Sequence, residues 1–309
     1  LLKEAERLWG FADGIEITLE GNPSSVEAAN YAALASVGIN RVSLGLQSLD
    51  DQALRFLGRL HNVSEGLKAL DVAQKNFDRV SFDLIYALPD QTAEEWQAQL
   101  RRALSFGTGH LSLYQLTIEP GTRFATMVRQ NDFAPLDDDA AADLFALTRE
   151  MTAAAGLPAY EISNHARSGE ESRHNLTYWR YQDYCGIGPG AHGRRGGFAT
   201  VRHKKPENWI AAVADKSNGI AEERRLSLGE QASEALLMGL RLREGIDLSV
   251  LSSRFGFKRG QLIDGAKVQF YCDQGLLWQD GLRLGVTEAG MPLLDALLGE
   301  LVAADLVTA

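Results

Sequence analysis

Four runs of β-branched and aliphatic residues recur at intervals of about thirty residues: Ile15 to Leu19, Arg41 to Leu46, Arg79 to Tyr86 and His110 to Ile118. That interval is the length of one strand-helix unit. Each run is followed by helical periodicity. After the first, Ser24-Ser25-Val26-Glu27 offers a cap and first turn, Ala28, Ala29, Ala32, Leu34 and Ala35 supply an apolar face, and Gly38 ends the helix. Gln91-Thr92-Ala93-Glu94-Glu95 predicts a capping box at the start of a helix carrying Trp96, Leu100 and Leu104. Strands alternating with helices predict a parallel sheet, and a right-handed series of such units predicts a barrel or open barrel.

From about residue 137 the pattern changes. Asp137-Asp138-Asp139 precedes a long amphipathic helix through Phe145, Leu147 and Met151 to Ala155, ended by Gly156 and Pro158. The acidic triplet reads as capping and dipole compensation rather than a metal site. Tyr160 to Ser163 reads as a short strand. From about residue 227 the pattern predicts a helix over Ser227 to Leu240, a short helix from Ser249, another from Arg259 to Gln274, a strand at Leu282 to Gly285 and a closing helix from Glu288. Three helices and a small hairpin in that order resemble a winged-helix module. It lacks a basic helix face, so packing or partner contact is expected of it rather than DNA binding. The expected fold is α/β: a partial (β/α) barrel over 1–135, a barrel extension over 136–226 and a small helical winged-helix-like domain over 227–309.

In such an architecture chemistry collects at the C-terminal ends of the strands. Glu20-Gly21-Asn22-Pro23 follows the first run and Gln47-Ser48 the second; Leu88 to Gln91 lies beyond the third; Gln115, Thr117 and Glu119 to Thr122 close the fourth. Any one of these could be a cap or loop residue. Four strands ending in carboxylate or amide groups point to a shared site. Asp83 lies inside the apolar run Val80 to Ile85, where an unpaired charge is costly.

Charge narrows the partners. With 31 basic against 41 acidic side chains among 309 residues, a net charge of −10, the chain lacks the cationic excess that phosphate backbones demand. No apolar run approaches the roughly 20 residues of a membrane span, and Leu1 to Leu8 reads as an amphipathic helix rather than a signal peptide. A cytoplasmic protein without nucleic-acid partners is expected. Only Cys185 and Cys272 occur, too far apart for a disulfide framework or a cysteine-based metal site within this chain.

A further cluster lies at His174-Asn175-Leu176-Thr177-Tyr178-Trp179, followed by Gly186-Ile187-Gly188-Pro189-Gly190-Ala191-His192-Gly193. A tetrapyrrole needs an imidazole to reach its iron, aromatic walls against its faces and close backbone approach. His174, with Tyr178 and Trp179 beside it, could supply these; a hydrogen-bonded core cluster is the structural alternative. His192 could instead lie over the barrel mouth. His61, His165 and His203 read as loop or surface residues. The glycine spacing is no dinucleotide loop, because no helix and ribose-binding acid follow it.

Several of these words together resemble the radical S-adenosylmethionine family of oxygen-independent coproporphyrinogen III oxidase-like proteins, and within it the haem-chaperone (HemW) branch. They are Ile17 to Pro23, Gly38 to Ser48, Leu57 to His61, Asp83 to Thr92, Ser112 to Thr122 and the His174 run, in the family's order. The resemblance implies a partial radical-SAM barrel with S-adenosylmethionine held by Glu20, Gln47, Arg59, Asp83 and Thr117, and haem held at His174, with Tyr178 and His192 as further candidates. It implies haem and haem-accepting proteins, membrane-associated ones among them, as partners. Oxygen-independent decarboxylation of coproporphyrinogen III and a cluster-free binding scaffold are the competing functions. The family's [4Fe-4S] cluster rests on Cys-x3-Cys-x2-Cys, which is absent here together with a Gly-Gly-Gly-Thr-Pro loop. Two leading strand-helix units are therefore expected to precede Leu1 in the intact protein; a natural protein that has discarded the cluster is the alternative. These 309 residues alone should not cleave S-adenosylmethionine reductively.

Overall fold

A computed structural model describes residues 1–24, 28–303 and 306. The chain divides into two compact units, Leu1–Arg173 and His174–Ala309.

The first unit is built on one five-stranded sheet, ordered β1 (Thr18–Gly21), β2 (Arg41–Gln47), β3 (Arg79–Tyr86), β4 (His110–Gln115) and β5 (Asn164–Ala166). The first four strands run parallel, as their alternation with helices requires. Its described helices are α1 (Leu2–Trp9), α2 (Tyr31–Ser36), α3 (Asp51–Phe56), α4 (Val63–Asn76), α5 (Ala93–Leu104), α6 (Arg123–Arg129) and α7 (Asp138–Ala154). The first turn expected at Ser25 to Glu27 lies outside the described residues. The box at Thr92 forms: its hydroxyl accepts from the Glu95 amide while Glu95 accepts from the Thr92 amide. Asp137 caps α7 by accepting from the Ala140 amide.

One face of the sheet is apolar. Val42, Leu44 and Leu46 of β2, Phe82 and Leu84 of β3 and Leu111 and Leu113 of β4 pack with Leu70, Ala73, Trp96, Leu100 and Leu144 from α4, α5 and α7. Trp96 stacks on Tyr86 at 4.7 Å and donates its indole N–H to Thr148 at 2.8 Å, joining α5, β3 and α7. The core thus lies between the sheet and one layer of helices, which leaves the opposite face of the strands for polar groups.

Two expectations change here. The strand placed at Tyr160 to Ser163 lies instead at Asn164–Ala166, and it pairs antiparallel with β4. Glu161 accounts for the shift: buried, it accepts from the Ser163 amide at 2.8 Å and the Asn164 side chain at 2.6 Å, holding its own segment in a turn. His165, expected in a loop or at the surface, is a core residue, 1% exposed, with Nδ1 2.8 Å from the Thr152 hydroxyl.

In the second unit, α8 (Arg173–Trp179) leads to an antiparallel sheet of β6 (His192–Arg195), β7 (Phe198–Arg202) and β8 (Ile220–Arg225), with α9 (Pro206–Lys216) between the last two strands. Next come α10 (Leu228–Gly239), β9 (Ile246–Asp247), α11 (Leu248–Phe255), α12 (Arg259–Leu262), α13 (Gly265–Asp273), β10 (Leu277–Asp280), β11 (Arg283–Val286) and α14 (Leu294–Leu301). The hairpin β10-β11 adds to β9 in a three-stranded sheet beside the helices. The helix expected over Arg259 to Gln274 is broken in two. Ile263 leaves helical geometry to bridge Val302, and Asp264 caps α13 by accepting from the Ala266 and Lys267 amides. The closing helix starts at Leu294, after a 3₁₀ turn at Met291–Leu293, rather than at Glu288.

Candidate functional site

The polar face of the first unit follows from a period of two. Residues in β2 read Arg41, Ser43, Gly45, Gln47; in β3, Arg79, Ser81, Asp83, Ile85; in β4, His110, Ser112, Tyr114. Registers align them into rows: Glu20 opposite Ser43, Ser43 opposite Ser81 and Ser81 opposite His110, with Asp83 opposite Ser112 and Ser112 opposite Asn164. Hydrophilic side chains therefore form one continuous surface behind an apolar wall.

At the strands' C-terminal ends this surface opens into a cleft of about 250 Å³ lined by Gln47, Leu57, Arg59, Ile85, Gln115, Leu116, Thr117 and Phe124. Three expected ligand residues, Gln47, Arg59 and Thr117, thus share one cleft. Gln47 reaches it through a register shift after Leu44 and a left-handed backbone, φ 67°. Arg59 follows Gly58, whose φ of 72° turns the chain out of α3; its guanidinium donates to the Asn22 side chain at 2.9 Å and the Gly45 carbonyl at 3.2 Å. Gly45 is the cradle of the group. A Cβ there would sit 3.1 Å from the Gln47 amide nitrogen and 3.3 Å from the Arg59 guanidinium, so a bare backbone is what admits both. His61, also in this loop, has Nε2 3.1 Å from the Leu46 carbonyl and therefore carries its proton there. Partial burial holds its pKa below the usual histidine value.

Glu20 and Asp83 stand beside the cleft on the same face. Glu20 is exposed on the edge strand, and its charge acts on Asp83. Burial raises the Asp83 pKa to about 6; Glu20 adds to the rise, and Ser112, Ser43 and Arg41 oppose it. Ser43 donates to Asp83 Oδ1 at 3.3 Å. Asp83 is thus poised to change charge near neutral pH, which suits a group that meets a cation.

Sequence reasoning missed the rest of this surface. Ser81 lies 2.7 Å from His110 Nδ1, whose Nε2 lies 3.0 Å from the Tyr160 hydroxyl; burial pushes the His110 pKa well below the usual value. Arg79 pairs with Glu16 at 2.6 Å and Glu170 at 3.1 Å. Ser112 donates to Asn164. The strict alternation in Arg41 to Gln47, Arg79 to Ile85 and His110 to Tyr114 is the signal that could have found them.

The second unit holds the histidine run. His174 and Tyr178 lie one helical turn apart on α8: Nε2 and the phenol oxygen are 3.1 Å apart, and the rings meet edge-on at 4.8 Å. Tyr184 continues the ladder, 4.6 Å from Tyr178. His174 is exposed, as is His192 at the start of β6. Tyr181 donates to Glu234 at 2.6 Å, and the Arg194 guanidinium stacks 3.5 Å over its ring. Trp179 packs under the Arg241 guanidinium at 4.8 Å.

The donor set at the mouth fits a sulfonium nucleoside: a guanidinium for a carboxylate, and an amide and carboxylates for hydroxyls and an ammonium. It does not extend to an iron-sulfur cluster. The chain's two cysteines, Cys185 and Cys272, both belong to the second unit, and among the described residues no group of three or more His, Cys, Asp or Glu side chains is placed to hold a metal ion.

Comparison with known proteins bears on the fold and the family. The Radical SAM superfamily profile matches residues 1–103 and the HemN C-terminal domain profile residues 226–293. "Radical S-adenosyl methionine domain-containing protein 1, mitochondrial" of Mus musculus is 41% identical over 298 residues, covering 92% of this chain and 66% of that protein. "Heme chaperone HemW" of Haemophilus influenzae is 34% identical over 305 residues, covering 96% of this chain and 76% of that one. The chain thus spans about two thirds to three quarters of the length of these relatives. The solved structure of coproporphyrinogen III oxidase (HemN) from Escherichia coli superposes with a TM-score of 0.78 at 19% identity, over 96% of this chain and 72% of that one, which places the fold. Profiles and fold together define a radical S-adenosylmethionine protein with a HemN-type C-terminal domain. Within that class, the chain belongs to the HemN/HemW-like family.

Proposed function

We propose that the intact protein is a haem chaperone that binds S-adenosylmethionine at the sheet's C-terminal mouth and carries haem at His174 for delivery to haem-accepting proteins, membrane-associated ones among them. Arg59 would fork the ligand's carboxylate, Gln47 and Glu20 its hydroxyls and Asp83 its ammonium or hydroxyls, with Thr117 at the rim. Bound S-adenosylmethionine supplies a sulfonium whose bond to carbon a single electron can break, and the ligands for an electron-donating cluster are not among these residues. His174 would bind haem iron through an imidazole that Tyr178 orients, with His192 a second candidate for the haem or the mouth. The observation that supports the reading most directly is convergence: Gln47, Arg59 and Thr117 line one cleft, and Asp83 lies beside it. Support for haem comes from the exposed His174–Tyr178 pair and from similarity to proteins called haem chaperones. An aqueous compartment is expected, the cytoplasm in the simplest case; no described helix is long and apolar enough to cross a membrane.

The test is a haem titration of the full-length, cluster-reconstituted protein. We expect a stable Soret band, weakened or shifted by His174→Ala, and no decarboxylated product when coproporphyrinogen III and S-adenosylmethionine are supplied. An unaltered Soret band in the variant would remove His174 from the ligands, and turnover of coproporphyrinogen III would replace the chaperone by the oxidase.

A further inference from the structure

β2 does not reach the mouth in a single register. Its pairing with β3 runs from Arg41 opposite Arg79 to Leu44 opposite Phe82, slips, and resumes with Gln47 opposite Leu84, while its pairing with β1 ends at Leu44. Gly45 and Leu46 span the slip, and the α3-α4 loop grips both of their carbonyls. The Arg59 guanidinium donates to Gly45 at 3.2 Å and His61 Nε2 donates to Leu46 at 3.1 Å. Leu60, between them, faces solvent. Room for the imidazole comes from Gly66 in the first turn of α4, where a Cβ would lie 3.1 Å from Leu46 Cδ2 and 3.6 Å from His61 Cδ2. Glycine inside a helix is destabilising relative to alanine; here it lets Leu46 and the ring pack against α4.

The backbone path of the loop is secured without His61. The Arg59 amide donates to the Leu54 carbonyl at 2.9 Å, Asn62 forms a capping box with Glu65, and the Val63 amide donates to Asp51 at 2.8 Å. These local bonds do not set the separation between the loop and the slipped end of β2, where the guanidinium lies. Arg59 meets neutral acceptors, the Asn22 side chain and the Gly45 carbonyl, and among the described residues no carboxylate pairs with it. Its charge is therefore left for an anion. Burial, and after it the Arg59 charge, holds the His61 pKa below the usual value, so the imidazole is neutral at pH 7 and adds no second cation.

We infer that His61 is a positioning residue: by fastening the α3-α4 loop to Leu46, it sets the Arg59 guanidinium where a ligand's carboxylate meets it. The inference deepens the assignment of the mouth to S-adenosylmethionine and rests on it. His61 does not line the cleft itself. It acts through Arg59, and so on the amino-acid end of the ligand alone.

The test is calorimetric titration of the full-length protein with two probes: S-adenosylmethionine, which carries the carboxylate, and 5′-methylthioadenosine, which carries the same nucleoside without it. His61→Leu should weaken S-adenosylmethionine binding about tenfold and leave 5′-methylthioadenosine binding unchanged. In an Arg59→Ala background it should add nothing, because the two residues act as one unit. His61→Gln, whose amide N–H can reach the Leu46 carbonyl as Nε2 does, should restore S-adenosylmethionine affinity; His61→Asn, one methylene shorter, should not. That pair gives the answer should His61→Leu fail to fold. Equal weakening of both probes would show that His61 holds the fold, and unchanged S-adenosylmethionine affinity that it positions nothing; either overturns the inference and leaves the site standing. S-adenosylmethionine affinity indifferent to Arg59→Ala would overturn the site itself.

Discussion

Gln47 shows how much of the mouth rests on single residues. Its φ of 67° lies in a region that costs an L-residue roughly 1–2 kcal/mol, yet the chain keeps a glutamine where glycine would be free of strain. The strain coincides with the point where β2 slips register against β3 and the side chain enters the cleft. Strained backbone at a ligand site is maintained by the structure around it and serves to place a side chain. Gln47→Gly should therefore leave stability unchanged or raise it by up to about 1 kcal/mol, while weakening S-adenosylmethionine binding at least tenfold. Denaturant unfolding and calorimetric titration of the same preparation read the two effects separately. A variant that loses stability and keeps its affinity would show that Gln47 holds the fold rather than the ligand.

At the scale of elements, caps and periodicity were legible in the chain. The box at Thr92 and the cap at Asp137 form as local rules predict, because each depends on residues within one turn. Thr92→Ala should accordingly cost about 1 kcal/mol, visible as a lower denaturant midpoint with unchanged slope; a loss several times larger would mean that Thr92 has a role beyond α5. What the sequence did not reveal are features decided by partners distant along the chain. The antiparallel β5 begins late because Glu161 is buried where it collects two donors, and His165 turns inward to meet Thr152. Helix periodicity runs across Ile263 without interruption, yet the Val302 bridge, far along the chain, breaks it. The mouth was partly legible: polar residues ending successive strands marked Gln47 and Asp83, and only the resemblance to a family added Arg59. The serines between them were hidden, since Ser43, Ser81 and Ser112 look like ordinary strand residues until register aligns them.

At the scale of the whole sheet, its polar face couples folding to pH through opposing groups. His110 and His165 are both buried with pKa values lowered by burial, His165 to about 3, so each is neutral when folded and takes up a proton on unfolding once the pH drops below the usual 6.5. A depressed histidine contributes stability above the unfolded pKa and loses it as pH falls toward the folded one. Asp83 has the opposite sign. Raised from 3.8 to about 6, it binds its proton more tightly in the folded state and adds stability as pH falls through 6. Between about pH 5.5 and 4, His165 and Asp83 offset each other: the unfolded chain holds its proton on the histidine and the folded chain on the carboxyl, while His110 acts in the same direction as His165. Asp83→Asn removes the compensating proton and should steepen the loss of stability on acidification by about 1.4 kcal/mol per pH unit. Hydrogen-exchange free energies of the β3 amides, corrected for intrinsic exchange rates, measure the slope within the first unit alone. An identical slope in protein and variant would mean that Asp83 is already ionised throughout this range and does not couple folding to pH.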